Sequence, residues 1–449
     1  MDLIPPAVRN LLLRLEVNRA VAWMLLSRVW QFLSGIVTVI LLTQCFDEST
    51  LGIYQLFISL IGMQMFVELG LPWTIVLMTS HEWSRLRMDA VGRVEGDLVA
   101  LERLSSLHRF ASRWFAVCAV IFLGGVSLDG YYEIGAKQPQ VDWLYPWLAF
   151  VAVNAAALIY VPKLSILEGC QQVGTINFYR LLQAVTGTLV VWTALWAGSG
   201  LWILVASSVV RWAWDAYLVE VRYRETFKSL REQHETVHTA WFRELWPLSW
   251  RLAIQTIGSY FSTYYFTRVV FNQMGDAEAG RFGMTWTILM TVQTVSLAWV
   301  HTRYPEFGAM AARGEHDQLR RRLIKTGAIS MSVFLAGSGM FCVAVSALEQ
   351  VGVLKAGRFL ALPETGLLVT GLTLLLLTNV LHISIRVYKK DPFLIPHTIS
   401  SLAVALLAWE AGQRFGVLGI GWAYVLVAGG FTFPVSLALA WKHQQRLKS

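Results

Sequence analysis

The chain alternates long apolar runs with short polar stretches. Runs of about twenty residues are long enough to cross a bilayer as helices. Twelve are expected, over 21–44, 51–80, 114–128, 143–167, 178–197, 201–219, 246–271, 281–302, 326–348, 365–386, 393–412 and 417–440. The third is short, and the second is long and is expected to bend at Pro72. The longest polar stretches, 81–113 and 220–245, read as amphipathic and helix-like rather than as domains. The pattern predicts an all-α, polytopic membrane protein.

The first run is not uniformly apolar. Ser27, Gln31, Ser34 and Thr38 recur at steps of four, three and four, which at about 100° per residue places them on one narrow helix face. Arg28 and Gly35 flank that face, and Leu26, Val29, Leu33, Ile36 and Val37 cover the rest. A polar stripe on a bilayer-spanning helix is expected to turn toward a protein interior or a watery cavity. The alternative is that small residues let neighbouring helices approach closely. Arg28 and Gln31 favour the cavity.

Composition supports the class. Of 449 residues, 55% are hydrophobic and 15% charged, against roughly a quarter charged in a soluble domain. Residues 1–20 form a basic, amphipathic lead, and the first apolar run is too long for a secretory signal. Four scattered cysteines indicate neither a disulfide framework nor a metal site, and His301, His382 and His397 lack ligand spacing. No cofactor is expected. The net charge of +8 follows topology rather than nucleic-acid binding. Stretches on the side of the termini hold 27 of the 37 Lys and Arg residues and the opposite loops five, so both termini are expected in the cytoplasm.

The chain also repeats itself. Shifting the first stripe by 224 positions gives Arg251, Gln255, Gly258 and Ser262, again on the first helix of a six-span set. Gly96, Leu101 and Arg103 are echoed by Gly314, Leu319 and Arg321, and Asn154 by Asn379. Two six-helix bundles are expected, over 21–219 and 246–440, related by a pseudo-two-fold along the membrane normal with a cavity between them. A linker over 220–245 and a tail over 441–449 complete the division.

Several short motifs look familiar. Leu51-Gly52-Ile53-Tyr54 after a short acidic loop, and Glu68-Leu69-Gly70, resemble the start of polysaccharide and O-antigen flippases of the multidrug/oligosaccharidyl-lipid/polysaccharide exporter superfamily. Met274-Gly275-Asp276 with Gly280-Arg281-Phe282, Tyr304-Pro305-Glu306-Phe307-Gly308, and Phe415 through Ala423 resemble later segments of that family in the same order. Ser80-His81-Glu82-Trp83 departs from the better-known O-antigen transporters. The resemblance implies a bacterial inner-membrane transporter, not an enzyme, that moves undecaprenyl-diphosphate-linked oligosaccharide between leaflets. Other polysaccharide assembly proteins would be possible partners.

The intramembrane charges supply the candidate site. A charged residue at mid-bilayer costs about 2.5–3.5 kcal/mol on insertion scales, so each needs a partner or water. Arg28, Arg251 and Lys163 are candidates to hold a diphosphate, because cationic forks bind phosphate oxygens. Arg251 and Lys163 lie near span ends and are equally placed to snorkel. Arg268, near the other end of its span, is a candidate to draw the headgroup outward. Glu68 is read as a partner of Arg28, a proton or Na⁺ coupling site, or a structural salt bridge. Arg211 and Asp215, four apart, read as an intrahelical ion pair or a coupling pair. A cation-coupled drug exporter of the same superfamily is the runner-up. A polymerase or ligase is disfavoured by the short outer loops, and a non-transporting scaffold is the remaining alternative.

Overall fold

The computed structural model describes residues 19–137, 141–233, 241–352, 357–388 and 392–448. All but the last two residues of the expected 1–20 lead lie outside them. Helices α1 (Arg19–Cys45), α2 (Glu48–Ile61), α3 (Gln64–Glu68) and α4 (Leu71–Trp83) come first. A two-stranded hairpin, β1 (Leu86–Met88) and β2 (Val94–Gly96), follows. Next come α5 (Leu98–Gly135), α6 (Leu144–Leu158), α7 (Val161–Gly169), α8 (Val173–Trp196), α9 (Trp202–Tyr217) and α10 (Arg224–Glu232). The remainder is α11 (Trp241–Thr263), α12 (Tyr265–Met274), α13 (Asp276–His301), α14 (Tyr304–Ala312), α15 (His316–Gln350), α16 (Leu362–Arg386), α17 (Leu394–Val427) and α18 (Phe433–Lys448).

The twelve expected spans appear in order, but several are broken. The second is α2, α3 and α4, interrupted at Gly62–Met63 and again at Leu69–Gly70, where φ is +49° and +67°. Pro72 is not the bend. It sits in the first turn of α4, where a missing N–H costs nothing. The last two spans join into one helical run broken at Gly416 (φ 63°, ψ −148°), a conformation only glycine adopts without strain. The third span is longer than expected, since α5 absorbs residues 98–113. Seven helical runs among the described residues are long and apolar enough to cross a membrane, one of them 52 residues long. Helices such as α8 and α13 fall outside that set through polar residues including Gln183 and Gln293.

The chain packs as two compact units, 1–45 with 66–253 and 46–65 with 254–449. In the first, α1 lies along α8, α8 along α9, α9 along α6 and α4 along α7. Trp147 is fully buried and donates to Ser127 O at 3.3 Å, fixing α6 on α5. The hairpin, absent from the sequence expectation of a helical 81–113, pairs Leu86 with Gly96 and buries Leu86 and Val94. Thr226 and Ser229 of α10 bond its backbone at Gly92 O and Val94 N. Arg103 lies over Trp241 and pairs with Glu82 at 2.8 Å and Glu244 at 3.0 Å.

In the second unit an aromatic core gathers Phe266, Phe282, Trp286 and Tyr424, with ring centroids 5.4–6.5 Å apart. Residues 46–65, which sequence order places in the first half, pack here as α2 along α13. The seam is backbone on backbone. A Cβ on Gly52 would overlap the carbonyl of Asp276, and Gly280 faces Gly52 in return. Ser49 donates to Asp276, and Arg281 pairs with Glu48 at 3.4 Å. Gly52→Ala must therefore push the helices apart. The expected loss is about 1–3 kcal/mol, as for other overpacked contacts, read as a lower melting temperature of the purified protein than that of Gly35→Ala, whose Cβ meets open space.

Candidate functional site

Three helices of the first unit share a fixed register. Trp30 Nε1 donates to Ala184 O at 3.3 Å and Trp192 Nε1 donates to Thr38 Oγ1 at 2.9 Å, both 154 positions apart, so α1 and α8 run parallel. α9 runs back antiparallel, with Gln183 bonded to Asp215 at 2.6 Å and Trp214 Nε1 to Thr186 Oγ1 at 3.0 Å. Carried along this register, Arg28 stands level with residue 182 and Arg211 near residues 187–189. With Arg180 they span about seven to nine residues of helical rise, roughly 10–14 Å. All three are exposed on the surface of the unit, as is Gln31.

Helix geometry sets their common side. On α1, Trp23, Trp30 and Ser34 turn toward α8, while Arg28 and Gln31 emerge on one flank and Leu26, Val29, Leu33 and Ile36 are exposed on the other. On α8, Phe178 and Trp192 meet α1, whereas Tyr179, Gln183 and Thr186 meet α9. At 100° per residue Arg180 falls in the remaining sector, on the same side as Arg28. The result is an arginine tier across three adjacent helices.

The tier is held from beneath. Asp215 is buried, 8% exposed, and accepts from Gln183 Nε2 while the charges of Arg211 and Arg180 act on it. Asp215 takes this hydrogen bond from α8 while Arg211, four residues back on its own helix, acts on it through its charge. An acid placed after its base at i,i+4 is the weaker order. Arg180 Nη2 pairs with Glu168 Oε1 at 2.5 Å. Arg28 Nη1 donates to Gln31 Oε1 at 3.4 Å, and Gln31 Nε2 donates to Ser27 Oγ at 3.4 Å.

The first stripe thus divides between its two readings. Ser27 and Ser34 are buried and Thr38 accepts from Trp192, so they form a packing seam, while Arg28 and Gln31 emerge. In the second stripe Gly258 packs on Ser401 and His397, and Ser262 Oγ bonds Ser401 Oγ at 3.1 Å. Gln255 is half-buried, and Arg251 is exposed with its guanidinium 5.5 Å from the Trp250 ring. Arg268, in the second unit, is half-buried and directs Nη1 to Met63 Sδ at 3.9 Å. Glu68 ends α3 beside the Leu69–Gly70 break, half-buried, with its charge acting on Cys118.

Lys163 stands apart from the tier. It is 6% exposed, bonded to Glu220 Oε1 at 2.8 Å and 5.0 Å from the Tyr160 ring centroid. Arg180 is the member that sequence reading misses. Sequence reading counts it with the cytoplasmic stretch 168–180, at the very start of the fifth span, whereas α8 already begins at Val173. Three guanidinium forks on one exposed face suit a multivalent anion, since each offers paired N–H groups to phosphate oxygens. Among the described residues no group of three His, Cys, Asp or Glu could hold a metal ion.

No protein-family model matches the chain, and no curated protein matches it in sequence. Solved structures do match in fold. An inward-facing multidrug resistance MATE family transporter of the MOP superfamily superposes with a TM-score of 0.69 at 13% identity, covering 93% of this chain and 95% of that one. A ligand complex of the MATE multidrug transporter DinF-BH gives 0.60 at 14% identity, covering 94% and 95%. A MOP superfamily transporter from Pyrococcus furiosus, described as having a binding pocket of reverse polarity that suggests a different function, gives 0.59 at 12% identity, covering 96% of each. The chain has the all-α, multi-pass fold of these membrane transporters.

The Lys163–Glu220 bond gives a pH test. The ammonium group beside Glu220 holds its carboxyl below the ordinary glutamate range. The stability this adds is complete above that range and is lost as pH falls through the lowered value. The melting temperatures of wild type and Glu220→Gln should converge in acid and separate toward neutrality, by a modest amount because Glu220 is about half exposed.

Proposed function

We propose that the protein is a transporter of the MOP superfamily that moves undecaprenyl-diphosphate-linked oligosaccharide across the bacterial inner membrane. The observation that carries this reading is the arginine tier. Arg28, Arg180 and Arg211 lie within about two and a half turns of one another on three packed helices, and among the described residues Arg28 is met by a neutral amide. A diphosphate is repelled by hydrocarbon and needs a shielded cationic path. The tier holds the headgroup, Gln31 adds a neutral donor, and the isoprenoid tail stays in lipid. Both termini lie in the cytoplasm, so the tier stands toward the cytoplasmic end of its helices, where the cargo is made. Alternating access then exposes it outside. Lys163, committed to Glu220, supports the fold rather than the cargo.

A neighbour described as having a pocket of reverse polarity supports the idea that this fold accommodates cargo of opposite charge. A second reading, a cation-coupled multidrug exporter, is favoured by neighbours described as multidrug transporters and by buried Asp215. The two readings predict opposite results. For the flippase, Arg28→Ala, Arg180→Ala and Arg211→Ala each reduce export of the lipid-linked glycan in cells by roughly tenfold, the loss of one charge-assisted contact. Lysine at the same positions restores export in part. Full export by all three alanine variants at equal expression, with drug resistance conferred by the wild type, would overturn the flippase reading.

A further inference from the structure

Within the tier, Arg180 carries a carboxylate partner twelve positions back along the chain. Its Nη2 meets Glu168 Oε1 at 2.5 Å. In the proposed function that guanidinium receives a phosphate, so the carboxylate and the cargo compete for one fork.

The two partners are mounted differently. Glu168 is the penultimate residue of α7, and the end of that helix is pinned. Gly169 is buried against α4, where a Cβ would overlap Thr79 and crowd the carbonyl of Val76. The chain then turns through Gln171 at φ +62°, a left-handed conformation uncommon outside glycine. Cys170 N donates to Ile166 O at 2.8 Å, Gln172 N donates to Leu167 O at 3.0 Å, and Tyr223 Oη donates to Gln172 Oε1 at 2.8 Å. Strained backbone of this kind persists where its surroundings over-determine it. The carboxylate therefore has a fixed station on the turn. Arg180 reaches it with a long side chain that is 55% exposed. An exchange of partners moves the arginine and leaves the glutamate in place.

Magnitudes favour such an exchange. An exposed ion pair contributes little, unlike the bond that buried Lys163 makes to Glu220. A diphosphate brings more charge, accepts from a guanidinium through two oxygens, and draws Arg28 and Arg211 as well. Once displaced, Glu168 stands beside the bound anion as a like charge, which weakens the hold on it.

We propose that Glu168 is the counter-anion of Arg180 in the cargo-free transporter, that the diphosphate displaces it, and that it thereby limits how tightly cargo is held. The inference rests on the arginine tier being the cargo site.

The test is calorimetric titration of farnesyl diphosphate, a short isoprenoid diphosphate, into the purified full-length protein. Glu168→Gln should bind roughly fivefold more tightly than wild type, the upper end of what an exposed ion pair is worth. Loss of a merely structural pair would leave the affinity unchanged or lower it. Arg180→Ala should weaken binding and abolish the effect, so that Glu168→Gln adds nothing in that background. Melting curves without ligand verify that each variant is folded. Unchanged or weaker binding by Glu168→Gln, while Arg180→Ala weakens binding, overturns this inference and leaves the tier standing. A gain that persists in the Arg180→Ala background overturns it too. Absence of saturable binding by both wild type and Glu168→Gln overturns the proposed function and this inference together.

Discussion

A guanidinium or ammonium carried into a hydrocarbon layer must meet water, an anion or an aromatic face. That need orders much of the first unit. Lys163 is satisfied by Glu220 and Tyr160. Arg251 rests on Trp250. The tier is different in kind. Arg180 has one carboxylate, Arg211 acts on a carboxylate already bonded by Gln183, and Arg28 meets an amide. The contrast between saturated and unsaturated cations, rather than their number, is what sets the tier apart as the proposed cargo site.

The same solvent imposes a second demand, that backbone groups freed at helix breaks find partners inside the protein. Side-chain donors meet it. Ser59 Oγ donates to Tyr264 O at 2.5 Å where α11 gives way to α12. Within unbroken helices the same kind of donor ties neighbours together, as Gln293 Nε2 of α13 donates to Leu372 O of α16 at 3.0 Å, and such residues lower the apparent hydropathy of their helices.

Helix periodicity was legible because lipid allows few alternatives, so the order of the spans and the polar flank of α1 followed from the residues alone. Depth was harder to read. Arg180 stands about two turns into α8 rather than at its start, because Val173 to Asn177 adds more than a turn of helix that hydropathy does not register. Partnership was harder still. Ser34 and Gln31 share a stripe by spacing, yet Ser34 is buried against α8 while Gln31 emerges. Which neighbour a helix meets is tertiary information, as the equivalent stripe on α11 shows by sealing Gly258 and Ser262 against α17. The hairpin at 86–96 escaped detection because its strands are three residues each and the α10 side chains that brace its backbone lie more than 130 positions away.

The single glycine of α2 bears on how the chain is made. Ser49 and its partner Asp276 are 227 positions apart, so α2 leaves the ribosome long before α13 exists. During that interval α2 must reside in lipid without its mate. Gly52 suits the delay at its one position, since it holds the place of the close backbone approach without a polar side chain left stranded in lipid.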